Sequence, residues 1–529
     1  MSTDTKTAPK KIEKPKFGKP DVKLKRGQKI AVMLVLEGTY PYVSGGVSSW
    51  VHQIVGGMPN IKFGIIFVGG DPDLYQDSKY KLPPNLVHLE EHFLATGAIR
   101  EQPHPHHGDA EFFKVSGEVH DFFRDQTGCL PAQLLKTLAK PLAEQPEMAL
   151  KDFLYSELSW QEITRRYHRN CSHLSFVDYF WTIRSVHAPL FTLARAAKVA
   201  PKAAVYHTVS TGFAGFCGSI LGQTTGRPLI LTEHGIYTKE RRIELLAAQW
   251  LAEAAPELGA DAAGGIDYIR RLWIRFFEGM GRLTYTVANP IISLYDGNRQ
   301  RQIKDGAAEE RASVIPNGID LARLVPLRAK RPAKIPRVVG LLGRVVPIKD
   351  VKTFIRMMRV LANSIEDVEG WIIGPDDEDT TYANECKSLV ASLDLEKHVK
   401  FLGFQRIEDV LPKLGLMVLT SISEAQPLAL LEGFAAGVPC VSTEVGCCRE
   451  LVYGTTAQDR ALGASGRIVP IAKPEAAAEA VAELLLDPNA WSLAQQAGIA
   501  RVEKFYTLEK MIARYQDVYQ EAIARRWQE

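Results

Sequence analysis

Residues 30–55 read IAVMLVLEGTYPYVSGGVSSWVHQIV. Ile30 to Leu36 are apolar without a break, as expected of a parallel strand buried on both faces. A loop carrying Gly38, Gly45 and Gly46 follows. Val47, Trp50, Val51, Ile54 and Val55 then recur at helical spacing. Strand, glycine-rich turn and helix make the opening unit of a doubly wound α/β sheet.

The same alternation continues outward from this stretch. Strands are expected at Phe63–Val68, Leu86–Leu89, Ala203–His207 and Pro228–Thr232, with a last strand and turn at Val314–Gly318. Helices are expected at 184–198, 213–224, about 238–254 and 266–281. Residues 92–180 break the rhythm and read as an insertion, with helical patterns at 130–145 and 148–158. A second series begins after Leu324–Arg337, whose prolines and basic residues read as a linker. Its strands are expected at Val338–Leu342, Gly370–Ile373, Val399–Leu402, Leu416–Thr420, Pro439–Ser442 and Arg467–Val469. Two such series imply two Rossmann-like domains facing a cleft, with ligands beyond the carboxyl ends of the strands. The expected layout is a basic tail over 1–29, an N-terminal domain over 30–325 and a C-terminal domain over 326–504, with the last helix, about 505–529, returning to the N-terminal domain.

Composition agrees with a soluble α/β chain. At 529 residues, 46% hydrophobic and 24% charged, it is neither disordered nor long enough in apolar runs to cross a bilayer. The net charge of +3 hides an asymmetry, because residues 1–29 carry ten Lys/Arg against three Asp/Glu and leave the body net acidic. That body has no bulk-charge footprint for nucleic acid. The tail has too few apolar side chains for a core and is expected to be disordered, a solubilising segment or a loose attachment to an anionic membrane face. The seven cysteines are too scattered for a disulfide framework, and no secretory apolar core opens the chain. A cytoplasmic location is expected.

Four groups of polar residues stand at expected strand ends. Arg344 and Lys349, in GLLGRVVPIK (340–349), place two cations where a diphosphate could lie. Glu424 and Glu432, in SEAQPLALLEGFAAGVP (423–439), lie in a loop and in the helix it feeds. The first-turn amides of that helix, Leu428 and Ala429, form an anion site, and a carboxylate beyond it can accept from ribose hydroxyls. His234, in LTEHGIY (231–237), can bond a sugar hydroxyl or stabilise developing charge. Gly45 and Gly46 let amides approach a phosphate. His104, His106 and His107 read as a solvated loop, and Asp376–Asp379 as N-terminal charge for the next helix.

The joint pattern of GR-x4-K, E-x7-E, the Gly-Gly loop and PNGID (316–320) resembles the family-4 retaining glycosyltransferases of GT-B fold, over about 30–526. Within that family, EGTYPYVSGGVSSWVHQ (37–53), LTEHGIYTKERRIEL (231–245), SLYDGNRQRQ (293–302) and IIGPDDEDTTYANEC (372–386) look like the branch serving bacterial Pel exopolysaccharide synthesis. The resemblance implies a UDP-sugar donor bound mainly by the C-terminal domain, a glycan acceptor, and association with inner-membrane Pel synthesis proteins. It implies that Arg344 and Lys349 hold the diphosphate, Glu432 the ribose and Phe404 the base, while Glu424 and His234 lie near the transferred sugar. Gly45 and Gly46 match the loop that closes over the phosphates. Ala425 departs from the glycine that many members carry after the first Glu.

With cations and helix amides on the diphosphate, no metal or other cofactor is expected. Two other activities use this architecture: a nucleotide-sugar epimerase, and a non-catalytic UDP-sugar-binding subunit of a membrane polysaccharide synthase.

Overall fold

The computed structural model describes residues 17–94, 104–125, 131–247 and 268–525. The chain divides into two compact units, one of residues 16–315 with 514–529 and one holding 316–513. Each unit is built on a parallel sheet.

The N-terminal unit holds seven strands: β1 (Ile30–Glu37), β2 (Phe63–Gly69), β3 (Leu86–Phe93), β4 (Ala203–Thr208), β5 (Leu229–Glu233), β6 (Ile291–Ser293) and β7 (Ala312–Val314). Their order is β3-β2-β1-β4-β5-β6-β7. Every residue of β2 is buried, which explains its unbroken apolar run. Between β3 and β4 the chain forms helices Ala110–Asp125, Ala132–Glu144, Pro146–Tyr155, Glu157–Asn170 and Phe176–Val199. Over its described residues, the insertion is therefore mainly helical. β6 and the helix Asp296–Lys304 that follows it were not expected, because three residues carry too little periodicity to declare a strand.

The C-terminal unit holds β8 (Val338–Leu342), β9 (Glu369–Ile373), β10 (Val399–Gly403), β11 (Leu416–Leu419), β12 (Cys440–Thr443) and β13 (Gly466–Val469), in the order β10-β9-β8-β11-β12-β13. Each expected strand of this series is present. Both sheets reverse their winding at one place, between β1 and β4 and between β8 and β11. Within each sheet the two loops leaving that strand pair are neighbours, which is where an open α/β sheet binds ligands.

Two expectations need correction. Residues 17–24 are not a free tail. Ser78 and Phe17–Gly18 exchange backbone hydrogen bonds, Leu89 N–H donates to the Val22 carbonyl at 2.8 Å, and Leu24 packs on the core. This segment supplies an acceptor to the edge strand β3, a use that composition does not reveal; residues 1–16 lie outside the described ones. The segment 324–337 is not a loose linker. Arg328 donates to the Ala435 carbonyl and Glu503, and Arg331 to the Leu411 and Leu414 carbonyls while covering the Trp491 ring. Its basic residues bond carbonyls of its own unit, and the division between units falls at Ile315 and Pro316. The 104–107 loop is largely exposed, as expected, and within it His106 is also held, with Nε2 at 2.6 Å from Asp152.

The C-terminal unit has a buried ionic anchor. Arg501 is fully buried, bonds Asp459 at 2.6 Å, and donates to the carbonyls of Val452 and Gly463, each at 2.8 Å. Its charge is thereby paired and its donors used, the condition for burying a guanidinium.

Candidate functional site

The switch point of the C-terminal unit gathers the first group. β8 ends at Leu342, and a 3-10 turn, Pro347–Lys349, leads into the helix Val351–Ser364. β11 ends at Leu419 and feeds the loop that carries Ser421 and Glu424. Because β8 and β11 are neighbours, these two loops bond each other: Ile422 N–H to the Ile348 carbonyl, and Thr420 Oγ1 to the Lys349 carbonyl. Lys349 Nζ thus lies 2.5 Å from Glu424 Oε1, which also accepts from Ser421 Oγ at 2.6 Å. The ammonium and carboxylate are 20% and 13% exposed, so both can still meet a ligand.

Two glycines make this loop arrangement fit. A Cβ on Gly374 would lie 1.9 Å from the Gly343 carbonyl oxygen, so the turn before Arg344 packs directly on that backbone. Gly446, at φ +53°, presses on the carbonyls of Glu424 and Ala425, and Cys447 N–H donates to the latter.

Arg344 leaves the same β8 loop, half exposed, and pairs with Glu378 at 2.5 Å. The acidic run 376–379 therefore does more than charge a helix start. Asp379 caps the helix Thr380–Ser392, Asp376 holds Lys387, and Glu378 holds the expected diphosphate arginine.

The helix Leu428–Ala435 starts after Pro427 with no side-chain cap, so the amides of Leu428 and Ala429 face its open N-terminal end. Gly437, at φ +75°, stops it. Glu432 sits on this helix among buried Leu431 and Phe434. Its partner is Arg323, at 3.0 Å, which also reaches Glu408 at 3.4 Å. Burial pushes the Glu432 carboxyl up to about 7 against the pull of Arg323. Asp320 of PNGID caps the short helix that carries Arg323. Phe404 follows β10 directly, at the outer edge of the sheet rather than beside Lys349 and Glu424.

In the N-terminal unit, Gly45 and Gly46 open the helix Gly46–Gly57, again without a side-chain cap. Neither glycine has a neighbour that a side chain would strike, and Gly45 is extended. The fold does not require glycine at either position, and both leave the helix end uncovered. The helix carries Trp50, whose ring meets His234 at 4.9 Å, His207 at 5.7 Å and Tyr515 at 5.2 Å. His234 follows β5. Burial pushes its imidazole down to about 4, so it is neutral at physiological pH, and its Nε2 has no hydrogen-bond partner among the described residues. The buried Nε2 thus keeps one hydrogen-bonding position unused.

Sequence reasoning missed several neighbours. Glu37, at the end of β1, accepts from Tyr237 at 2.9 Å and from the Ala214 amide at 3.3 Å. Buried Glu233 accepts from Tyr285 at 2.6 Å and Gln302 at 2.9 Å, which fixes the strand end beside His234. The available signal was position: each is an acid closing an apolar strand. Arg323 gave no such signal, because exposed charges are common, and Glu378 was read only as part of the helix-start charge at 376–379. Among the described residues, no three His, Cys, Asp or Glu side chains converge as a metal-binding group.

Residues 30–310 match the family described as Domain of unknown function (DUF3492), and residues 327–500 match Glycosyl transferases group 1. The lipopolysaccharide core biosynthesis mannosyltransferase LpsB of Rhizobium meliloti is 30% identical over 220 residues, 39% of this chain and 60% of that protein. A UDP-Gal:alpha-D-GlcNAc-diphosphoundecaprenol alpha-1,3-galactosyltransferase of Escherichia coli is 28% identical, over 29% of this chain and 42% of that protein. The chain thus spans less than two thirds of each. Among solved structures, HepE of Anabaena in complex with UDP-glucose superposes with a TM-score of 0.55 at 15% identity, over 93% of this chain and 99% of that one. Sucrose-phosphate synthase of Thermosynechococcus elongatus gives 0.56 at 16%, over 94% and 100%. These likenesses establish the two-sheet GT-B fold.

Proposed function

We propose that this chain, which belongs to the DUF3492 family and carries a group 1 glycosyl transferase domain in its C-terminal unit, transfers a sugar from a UDP-sugar to a growing exopolysaccharide with retention of configuration. The observation that carries this reading is the Lys349–Glu424 pair at the β8/β11 switch point, with Ser421 on the same carboxylate. Such a pair can open toward a donor: the ammonium takes the diphosphate, and the released carboxylate takes a hydroxyl of the sugar.

In the reaction the anomeric C–O bond to the diphosphate breaks, and a bond to the acceptor oxygen forms. Negative charge grows on the departing diphosphate. Lys349, Arg344 and the amides of Leu428 and Ala429 stabilise it without a metal ion. The departing phosphate oxygen takes the acceptor proton in a same-face attack. Glu432 accepts from the ribose hydroxyls, and Phe404 belongs to the base-binding loop. Neutral His234 bonds a sugar hydroxyl, and the uncapped helix at Gly45 and Gly46 supplies amides to phosphate.

The segments 37–53, 231–245, 293–302 and 372–386 look like PelF, the cytoplasmic glycosyltransferase of Pel synthesis, so a Pel-type acceptor and inner-membrane Pel partners are proposed with it. HepE, of like fold, is described with UDP-glucose bound. A panel of UDP-sugars, read by UDP release with and without an oligosaccharide acceptor, tests the proposal. Acceptor-dependent release from one donor supports it. Interconversion of donors with no release, or tight binding with no turnover on any donor, overturns it.

A further inference from the structure

The helical insertion contains a feature that glycosyl transfer does not use. A cavity of about 490 Å³ lies among its helices and the helix Tyr268–Val287. That volume is within the usual range for small-molecule sites. Its wall is largely hydrocarbon, with Phe112, Leu142, Phe153, Ile163, Phe191 and Met280 among the contributors.

The polar groups deep in this wall are already engaged. His120 and His187 meet through their Nε2 atoms at 2.8 Å, and their Nδ1 atoms face the Ser116 and Ile183 carbonyls. Arg166 is shared among Glu162, Asp121 and the Gly117 carbonyl. Two lining cations are not spent in this way. Arg271 and Arg275 are exposed and have no ion-pair partner among the described residues. Four residues apart on one helix, they stand one above the other. The cavity thus joins an apolar interior to two guanidiniums that no acid among the described residues pairs with.

A second observation lies on the outside of the same helices. Trp160, Phe176, Phe180 and Trp181 form a continuous ring ladder, with centroids 5.5–6.1 Å apart. Trp160 is 53% exposed, and Trp181 and neighbouring Val177 are 61% exposed. Exposed tryptophans suit a membrane–water interface. Ile163, Tyr179, Ile183 and His187, from these two helices, line the cavity itself.

We propose that the cavity holds the hydrocarbon chain of a phosphate-headed membrane lipid, with Arg271 and Arg275 on the phosphate and the Trp160–Trp181 face against the bilayer. Guanidinium forks match phosphate oxygens, and the chain replaces water along the apolar wall.

The test uses the full chain and hexadecyl phosphate below its micellar concentration, with hexadecyltrimethylammonium as the same tail on a cationic head and inorganic phosphate as the head alone. Titration calorimetry should give one saturable site for hexadecyl phosphate, at least tenfold tighter than for either control. The variant Arg271→Glu/Arg275→Glu changes two exposed side chains and should lose at least tenfold in affinity. Leu190→Trp, which fills the cavity, should lose a similar amount. Melting temperature and UDP-glucose affinity should not change in the charge-reversal variant, which separates this proposal from the glycosyl-transfer reading. Flotation with phosphatidylglycerol vesicles should exceed that with phosphatidylcholine vesicles and fall in Trp160→Ser/Trp181→Ser. Equal affinity for the anionic and cationic heads, undiminished binding in a folded Arg271→Glu/Arg275→Glu variant, or equal binding of inorganic phosphate would overturn the proposal.

Discussion

With the proposed ribose role, the Glu432 carboxyl should make donor binding sensitive to pH near neutrality. Its value of about 7 means that the free protein holds it mostly protonated at pH 6 and mostly ionised at pH 8. A ribose hydroxyl donates its proton, so the binding form is the carboxylate. At pH 6 about one molecule in ten is competent, and the apparent Kd scales inversely with that fraction. UDP-glucose should therefore bind roughly tenfold more weakly at pH 6 than at pH 8, a difference of about 1.4 kcal/mol. At pH 7 about half a proton should leave per ligand bound, seen as a calorimetric heat that varies with the buffer's ionisation enthalpy. UDP-glucose is the right probe because its esterified diphosphate has no group titrating in this range. Glu432→Gln should flatten the profile and weaken UDP-glucose and UDP alike. A second carboxyl, Glu240 in the N-terminal unit, is also pushed up to about 7 by burial. A slope that survives in Glu432→Gln would move the effect to Glu240, and a flat wild-type profile would refute the ribose role outright. Stability of the free protein has the opposite sign: a raised carboxyl contributes most at low pH, and that contribution is lost as pH rises through 7.

Arg344→Ala and Lys349→Ala should each cut UDP-sugar turnover by about 10²–10³, roughly 3–4 kcal/mol of transition-state charge stabilisation, as judged by kcat/KM; near-normal kinetics in both would remove the diphosphate assignment. EDTA should leave turnover with a soluble acceptor intact, and rescue of a dead EDTA-treated protein by Mg²⁺ or Mn²⁺ would contradict the metal-free scheme. Removing residues 1–28 should lower the melting temperature, because Leu24 and the edge contact to β3 together contribute about 1–2 kcal/mol, less than a fully buried Leu; unchanged melting would restore the tail to a free segment. Arg501→Leu should cost about 3–5 kcal/mol in urea unfolding, since it strands buried Asp459, and adding Asp459→Asn should recover part of the loss.

The fold was legible where one residue type dominates a whole element. The runs Ile30–Leu36 and Val338–Leu342 could be only buried strands, and their order followed from alternation with helices. β6 was not legible, because its three residues acquire strand character only from neighbours on both sides. Lys349 and Glu424 were legible as strand-end charges; that they touch depends on β8 and β11 being adjacent, which is a matter of sheet order. Arg323 could not be found from its surroundings in sequence, since its role comes from a glutamate 109 positions away. The basic residues of 17–29 and 324–337 misled for one reason. Composition reports how a segment would behave alone, and these segments bond carbonyls and carboxylates contributed by distant parts of their own unit.

The last helix, Leu508–Arg525, has a consequence for how the chain is made. Its residues from Arg514 onward belong to the unit that begins near Lys16. Tyr519 bonds His207 at 2.8 Å and Tyr515 meets Thr232 at 3.2 Å, all four buried. A ribosome adding roughly 5–20 residues per second completes β7 about 10–40 s before it reaches those tyrosines. During that interval the N-terminal sheet lacks the tyrosines that cover His207 and Thr232, which meanwhile have only each other and water to bond. The first unit to be synthesised is therefore the last to be finished, and a message cut short after the C-terminal sheet would yield two damaged units rather than one missing helix.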